Sequence, residues 1–293
     1  MTPAKTAVAL GLFDGVHLGH RAVINAACNQ RKKGMIPAVF TFSPESALYK
    51  SDSDSGYIYG NGVKKRLISE CGTERICSQE FDSVCRLSGA EFVLRVLRDR
   101  LNAAYVCCGK DFRFGNGASC GVDELKDFGR KFGFAVEIVE DVRLGDSVVS
   151  SSEIRRLLKE GSIGKANELL GKPYTVSGTV TDGNHIGRTI DFPTINQNFS
   201  EGQLVPAYGV YSGSICIDGI SYRTVTNIGI KPTIEGKRRP LAETHILGFS
   251  GDLYGKYADV ELRKFLRSEK KFASLDELKA QIAEDIRISA NDI

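Results

Sequence analysis

The chain has 293 residues, 42% of them hydrophobic and 26% charged, a size and balance that suit two globular domains. A formal net charge of +3, with no basic stripe interleaved with aromatics, argues against a nucleic-acid-binding protein. No apolar run approaches transmembrane length, no amino-terminal targeting signal stands out, and eight scattered cysteines include no Cys-x-x-Cys pair, so a cytoplasmic protein with reduced thiols is expected.

In chain order, an apolar strand is predicted from Val8 to Phe13, and it runs into the turn Asp14-Gly15-Val16-His17-Leu18-Gly19-His20. A helix from Gly19 to Lys33 should follow, with Val23, Ile24, Ala27 and Cys28 inward and Gly34 as its stop. Ala38 to Phe42 reads as a buried strand, 51–56 as a polar loop, and Gly62 to Glu70 as a helix. Glu91 to Leu101 reads as an amphipathic helix, followed by a strand from Ala104 to Cys108. The turn Gly109-Lys110-Asp111-Phe112-Arg113-Phe114-Gly115 comes next, then a helix over Val122 to Phe132 and a strand over Phe134 to Val139. This alternation predicts a parallel sheet covered by helices, with its ligand crevice at the carboxyl ends of the strands.

Ser150-Ser151-Ser152-Glu153 opens a further helix, with Ser150 and Glu153 spaced as a capping box. A short helix ends at Gly171-Lys172-Pro173, and the domain boundary is placed at 168/169. The period then changes. Tyr174 to Thr181, Gly209 to Ile217, Ile220 to Thr226, Glu243 to Phe249 and Tyr257 to Leu262 read as strands, with Asp218-Gly219 as a hairpin turn. These predict an antiparallel barrel or sandwich. The closing helix, Ser274 to Ile288, should bury Leu275, Leu278, Ile282 and Ile286.

Two histidines at a glycine-bounded strand-to-helix turn suit a phosphate site, because a helix N-terminus offers unpaired N–H groups and the imidazoles add donors. A zinc reading would need further ligands. The motifs Gly11-x-Phe13-Asp14-Gly15-Val16-His17-x-Gly19-His20, Gly109-x-Asp111-Phe112-Arg113-Phe114-Gly115 and Ser150-Ser151-Ser152-x-Ile154-Arg155 together resemble the bacterial bifunctional riboflavin kinase/FAD synthetase family. The resemblance implies an α/β nucleotidyltransferase domain, a Rossmann-like parallel sheet, in the first half. That domain would adenylylate FMN with ATP and release pyrophosphate. By the same resemblance His17 and His20 would act on the ATP phosphates. Gly11, Phe13, Asp14, Gly15, Ser151, Ser152 and Arg155 would bind ATP, and Asp111, Phe112, Arg113 and Phe114 would bind the flavin. The family's Asp-Pro-His-Pro-like turn is replaced here by Ser43-Pro44-Glu45-Ser46.

The second half resembles the riboflavin kinase module of that family through Gly183-Asn184-His185-Ile186-Gly187-Arg188, Asp191-Phe192-Pro193-Thr194-Ile195-Asn196, Asn227-Ile228-Gly229 and Arg267-x-Glu269-Lys270-Lys271-Phe272. It implies a six-stranded antiparallel β-barrel with a C-terminal helix that phosphorylates riboflavin with Mg²⁺ and ATP. Glu243 would be the general base, Thr194 and Asn196 the metal ligands, Gly187 and Arg188 part of the ATP site, and Arg267 a flavin contact. Asp191, Ile195 and Gly248 depart from the family pattern. Riboflavin, FMN and ATP are the expected small-molecule partners. Neither nucleic acid nor membrane is expected, and nothing in the sequence specifies an oligomeric state. Two alternatives share the flavin motifs: an FAD synthetase whose barrel binds flavin but is catalytically impaired, and a non-catalytic flavin-binding regulatory protein. A third is another nucleotidyltransferase with an appended barrel.

Overall fold

The computed structural model describes residues 4–44, 56–182, 192–232 and 238–291. Its packing separates two compact units, Met1–Ser151 and Ser152–Ile293.

The first unit is built on five parallel strands, β1 (Thr6–Leu10), β2 (Ile36–Phe42), β3 (Arg75–Gln79), β4 (Ala103–Gly109) and β5 (Ala135–Val139), in the order β3-β2-β1-β4-β5. β1 lies at the centre and is wholly buried, as an apolar run covered on both faces must be. It ends three residues earlier than the apolar pattern suggests. Phe13 has φ 51°, Gly15 85° and Val16 44°, so the backbone has already left extended geometry for the turn.

Helix α1 (Leu18–Asn29) follows, and a 3₁₀ turn at Gln30–Lys33 takes up the rest of the expected helix before left-handed Gly34. Helix α2 (Asn61–Glu70) precedes β3, a strand absent from the sequence reading. The segment expected as one α-helix at 91–101 is a single α turn, α3 (Gly89–Glu91), continued by a π-helix over Phe92–Arg100. Its apolar residues Phe92, Val93, Val96 and Leu97 are buried together with Leu101. The Leu101 N–H reaches the Val96 carbonyl five residues back at 3.0 Å, the wider turn of a π-helix. Helix α4 (Val122–Phe132) has the predicted bounds, and a hairpin of β6 (Arg143–Leu144) and β7 (Ser147–Val148) closes the unit.

Helices α5 (Ser151–Lys159) and α6 (Ile163–Leu170) group with the second unit apart from Ser151. The reason is local packing: the Leu158 carbonyl accepts from Ala207 N at 2.9 Å, and Asn167 Nδ2 donates to the Leu262 carbonyl at 2.9 Å. The strands β8 (Tyr174–Thr179), β9 (Thr194–Asn198), β10 (Gly209–Ile217), β11 (Ile220–Pro232), β12 (Arg238–Ile246) and β13 (Tyr257–Ser268) form a six-stranded sheet in the order β8-β13-β10-β11-β12-β9. Its ends meet. Thr181 N donates to the Asn196 carbonyl at 2.8 Å, and Gln197 Nε2 reaches the Gly178 and Ala258 carbonyls at 3.1 and 2.8 Å. Asp218 and Gly219, with φ 50° and 81°, form the β10–β11 hairpin turn.

Helix α7 (Leu275–Asn291) ends the described chain, with Glu277 N bonded to Ser274 Oγ at 3.2 Å. Leu278, Ile282 and Ile286 are half-buried on its inner face, but Leu275 is 60% exposed, and the fully buried positions on that face are Asp285 and Ser289. Polar locks account for this. Ser289 Oγ donates to the Thr224 carbonyl at 3.0 Å, and Asp285 receives Arg267.

Candidate functional site

The turn after β1 is braced from below. The buried Asp14 carboxylate accepts from Ile58 N at 2.9 and 3.2 Å, and the Asp14 carbonyl accepts Ser151 Oγ at 2.9 Å. Thr41 Oγ1 holds the Leu12 carbonyl at 2.8 Å. His17 is the N-cap of α1: its Nδ1 accepts from His20 N at 3.3 Å. The His20 ring stacks on that of His17 and meets Phe13 edge-on at 5.4 Å.

Above this turn lies a cavity of about 850 Å³ at the carboxyl ends of the strands, where a parallel sheet places its ligands. Gly11, Phe13, His17, His20, Ser151 and the turn Asp111-Phe112-Arg113-Phe114 all line it. Asp14 and Gly15 are not among its lining residues; Asp14 acts as the brace beneath. Ser152 and Arg155 belong to the second unit, and Gly187 and Arg188 lie outside the described residues.

The cavity also has an aromatic wall, in which the motif residues Phe112 and Phe114 are joined by Phe40, Phe42, Phe81 and Phe92, which no motif signalled. Phe42 meets Phe81 at 5.4 Å, Phe40 meets Phe92 at 5.3 Å, and Phe92 meets Phe114 at 5.5 Å. Phe112 stacks on Phe114 at 5.8 Å. Such a surface suits a flat conjugated ring. Lys110 in the wall is paired with Asp141 at 2.5 Å, and Asp141 raises the pKa of the Lys110 ammonium. These residues sit on different strands and loops, so no local pattern connects them.

In the second unit the register places Glu243 of β12 between Asn196 of β9 and Asn227 of β11. Cross-strand partners share a face, so the three polar side chains form one row. Thr194 and His245 form the next pair on that face, and His245 Nδ1 lies 2.8 Å from the Pro193 carbonyl. The neighbouring residues Thr226 and Thr244 point the other way and bond to each other at 3.0 Å in the interior. Arg267, expected at the flavin, is paired with the buried Asp285 at 2.8 Å.

The first unit thus carries a histidine turn beneath a cavity at the strand ends, and the second a carboxylate–amide row on an antiparallel sheet. Residues 1–153 match the FAD synthetase family and residues 170–292 the riboflavin kinase family. The bifunctional riboflavin kinase/FMN adenylyltransferase of Escherichia coli is 36% identical over 282 residues, covering 94% of this chain and 89% of that protein. The Bacillus subtilis enzyme of the same description is 36% identical over 289 residues, covering 96% and 90%. A crystal structure described as a macrolide-efflux protein from Streptococcus pneumoniae has a TM-score of 0.87 at 29% identity, covering 100% of this chain and 96% of that one.

The chain belongs to the bifunctional riboflavin kinase/FMN adenylyltransferase family. It is an enzyme that phosphorylates riboflavin to FMN and adenylylates FMN to FAD. Among the described residues no helix is long and apolar enough to cross a membrane.

Proposed function

We propose that FMN and ATP meet in the cavity of the first unit. The carrying observation is that His17, His20, Ser151 and the Asp111–Phe114 turn share one cavity with an aromatic wall. The flavin ring lies against the phenylalanines, Phe112 and Phe114 among them, and Arg113 of the same turn faces its ribityl phosphate end. Transfer of AMP needs in-line placement of two anionic groups and neutralisation of the leaving pyrophosphate, with no protein nucleophile. With Nδ1 accepting from His20 N, the His17 proton lies on Nε2, which is then a donor to phosphate. The N-terminal N–H groups of α1 add to that field.

In the second unit Glu243 takes the proton of riboflavin's terminal ribityl hydroxyl as it attacks the γ-phosphorus of ATP. Thr194 and Asn196 are assigned to Mg²⁺. Asn196 supports the fit: its Oδ1 is buried with no hydrogen-bond partner among the described residues, and a hard neutral oxygen suits this ion. Mg²⁺, when bound, offsets charge on the transferred phosphoryl group. We assign adenylyl transfer to residues 1–168 and phosphorylation to 169–293, in a cytoplasmic protein whose thiols stay reduced.

The test is incubation of the purified protein with ATP, Mg²⁺ and either riboflavin or FMN, followed by chromatography of the flavins. FMN and FAD should both form from riboflavin. In His20→Ala, FMN should accumulate without FAD; loss of both products in a folded variant would overturn the assignment.

A further inference from the structure

Lys64 of α2 is a buried charged group that neither reaction has used so far. It is 1% exposed and, among the described residues, is the one lysine or arginine that is buried. With Leu67 and Ile68 it occupies the i, i+3 and i+4 positions of the helix's inner stripe, where an apolar side chain would be expected. A buried ammonium persists only where hydrogen bonds offset its lost hydration. One such bond runs from Lys64 Nζ to the Phe42 carbonyl at 2.8 Å.

The early end of β1 explains why that carbonyl takes a side-chain donor. Gly11 N donates to the Phe40 carbonyl at 3.3 Å. Carbonyls two residues apart on a strand point the same way, so the Phe42 carbonyl also faces the β1 side. There β1 has stopped at Leu10, and with φ 51° at Phe13 its chain has turned out of the ladder. Lys64 Nζ supplies the donor that a longer β1 would have given. On the opposite side Ser43 N bonds the Gln79 carbonyl at 2.9 Å, so the end of β2 is pinned from both sides.

Phe42 is the last residue of β2, and its ring stands in the cavity wall, edge-on to Phe40 and to Phe81 at 5.4 Å. A ring at a strand end keeps its direction only if the backbone beneath it is held. We propose that Lys64 is a positioning residue of adenylyl transfer: its ammonium fixes the carboxyl end of β2 and so stands the Phe42 ring where it supports the flavin of FMN. This rests on the reading that the flavin lies against the phenylalanine wall. The effect falls on flavin binding, because Phe42 meets the ring rather than the reacting phosphates.

Adenylyl transfer from supplied FMN tests it, with riboflavin phosphorylation as the control. Lys64→Met keeps the reach of the side chain and removes the donor. It should raise the FMN KM about five- to tenfold, with the ATP KM, kcat and the kinase reaction unchanged. Lys64→Gln, a donor on an arm one bond shorter, should raise it about threefold. Phe42→Leu should raise the FMN KM about as much as Lys64→Met does. Joining Lys64→Met to Phe42→Leu should be no worse than Phe42→Leu alone, because Lys64 acts through that ring. An FMN KM unchanged in Lys64→Met but raised in Phe42→Leu would overturn the role of Lys64. Additive effects in the double variant, or a loss confined to melting temperature, would do the same. If Lys64→Met does not fold, Lys64→Gln carries the same comparison. An FMN KM unchanged in Phe42→Leu would instead remove the flavin reading of the wall, so the two failures are distinguishable.

Discussion

The His17 and His20 rings stack with centroids 3.6 Å apart and planes 19° apart, while His20 N donates to His17 Nδ1. One histidine caps the helix that carries the other, so neither can turn without disturbing its partner. Gly19 makes this possible: a Cβ there would stand 3.1 Å from His17 Cε1 and 3.2 Å from Nδ1.

Gly19→Ala should therefore push the His17 ring aside. FAD formation from supplied FMN is expected to fall about tenfold, and His20→Ala should cost roughly 10²-fold, the order seen when a charge-stabilising donor is removed. Riboflavin phosphorylation should be unchanged in both variants. Separate assays from riboflavin and from FMN check this.

Asp14 should act on stability more than on chemistry. Asp14→Ala leaves the buried Ile58 N–H without its carboxylate acceptor, a cost of about 1–3 kcal/mol. Asp14→Asn keeps an acceptor oxygen and should lose less. Thermal unfolding of the two variants against the parent decides it.

The aromatic wall should be felt in flavin affinity alone. Phe81 packs edge-on to Phe42 at 5.4 Å in the cavity wall. Phe81→Ala is expected to raise the FMN KM of adenylyl transfer roughly 3- to 10-fold. Its kcat and the riboflavin KM of the kinase reaction should stay put, which initial-rate kinetics at varied flavin can show.

Glu243→Gln keeps shape and removes the base. FMN formation from riboflavin should fall by about 10²- to 10⁴-fold, the usual contribution of a positioned base. FAD formation from supplied FMN should persist.

Burial pushes the Cys108 thiol up to about 12 and raises Cys107 as well, while Cys216 is exposed. A thiol raised from 9.0 in the folded state holds its proton where the unfolded chain has released it. Its contribution to stability is therefore full below pH 9 and is lost as pH climbs toward 12. Alkylation at pH 8 followed by peptide mass mapping should modify Cys216 well before Cys107 or Cys108. Melting temperature should decline as pH passes 9.

The α/β alternation, the bounds of α4, the β10 strand and its Asp218-Gly219 turn were legible because each depends on local period and turn chemistry. The early end of β1 was not, since an apolar turn residue such as Phe13 looks like one more strand residue. β3, half-exposed at the sheet edge, carried too weak a pattern. The inner face of α7 was legible only in part: Leu278, Ile282 and Ile286 are half-buried as the pattern implies, but Leu275 is exposed and the fully buried positions, Asp285 and Ser289, are polar ones bonded to residues of β13 and β11.

By itself the sequence determined which chemistry-bearing motifs exist, where strands and helices alternate, and where that alternation gives way to antiparallel pairing, since these are properties of short contiguous stretches. Only the tertiary structure decided which of those residues share a space. It gathered Phe42, Phe81 and Phe114 from separate strands and loops around the histidine turn. It aligned Asn196, Glu243 and Asn227 by strand register. It also turned Arg267 toward Asp285. The physical reason is that side-chain neighbours across a sheet are set by pairing and burial over long sequence separations, which local propensity does not encode.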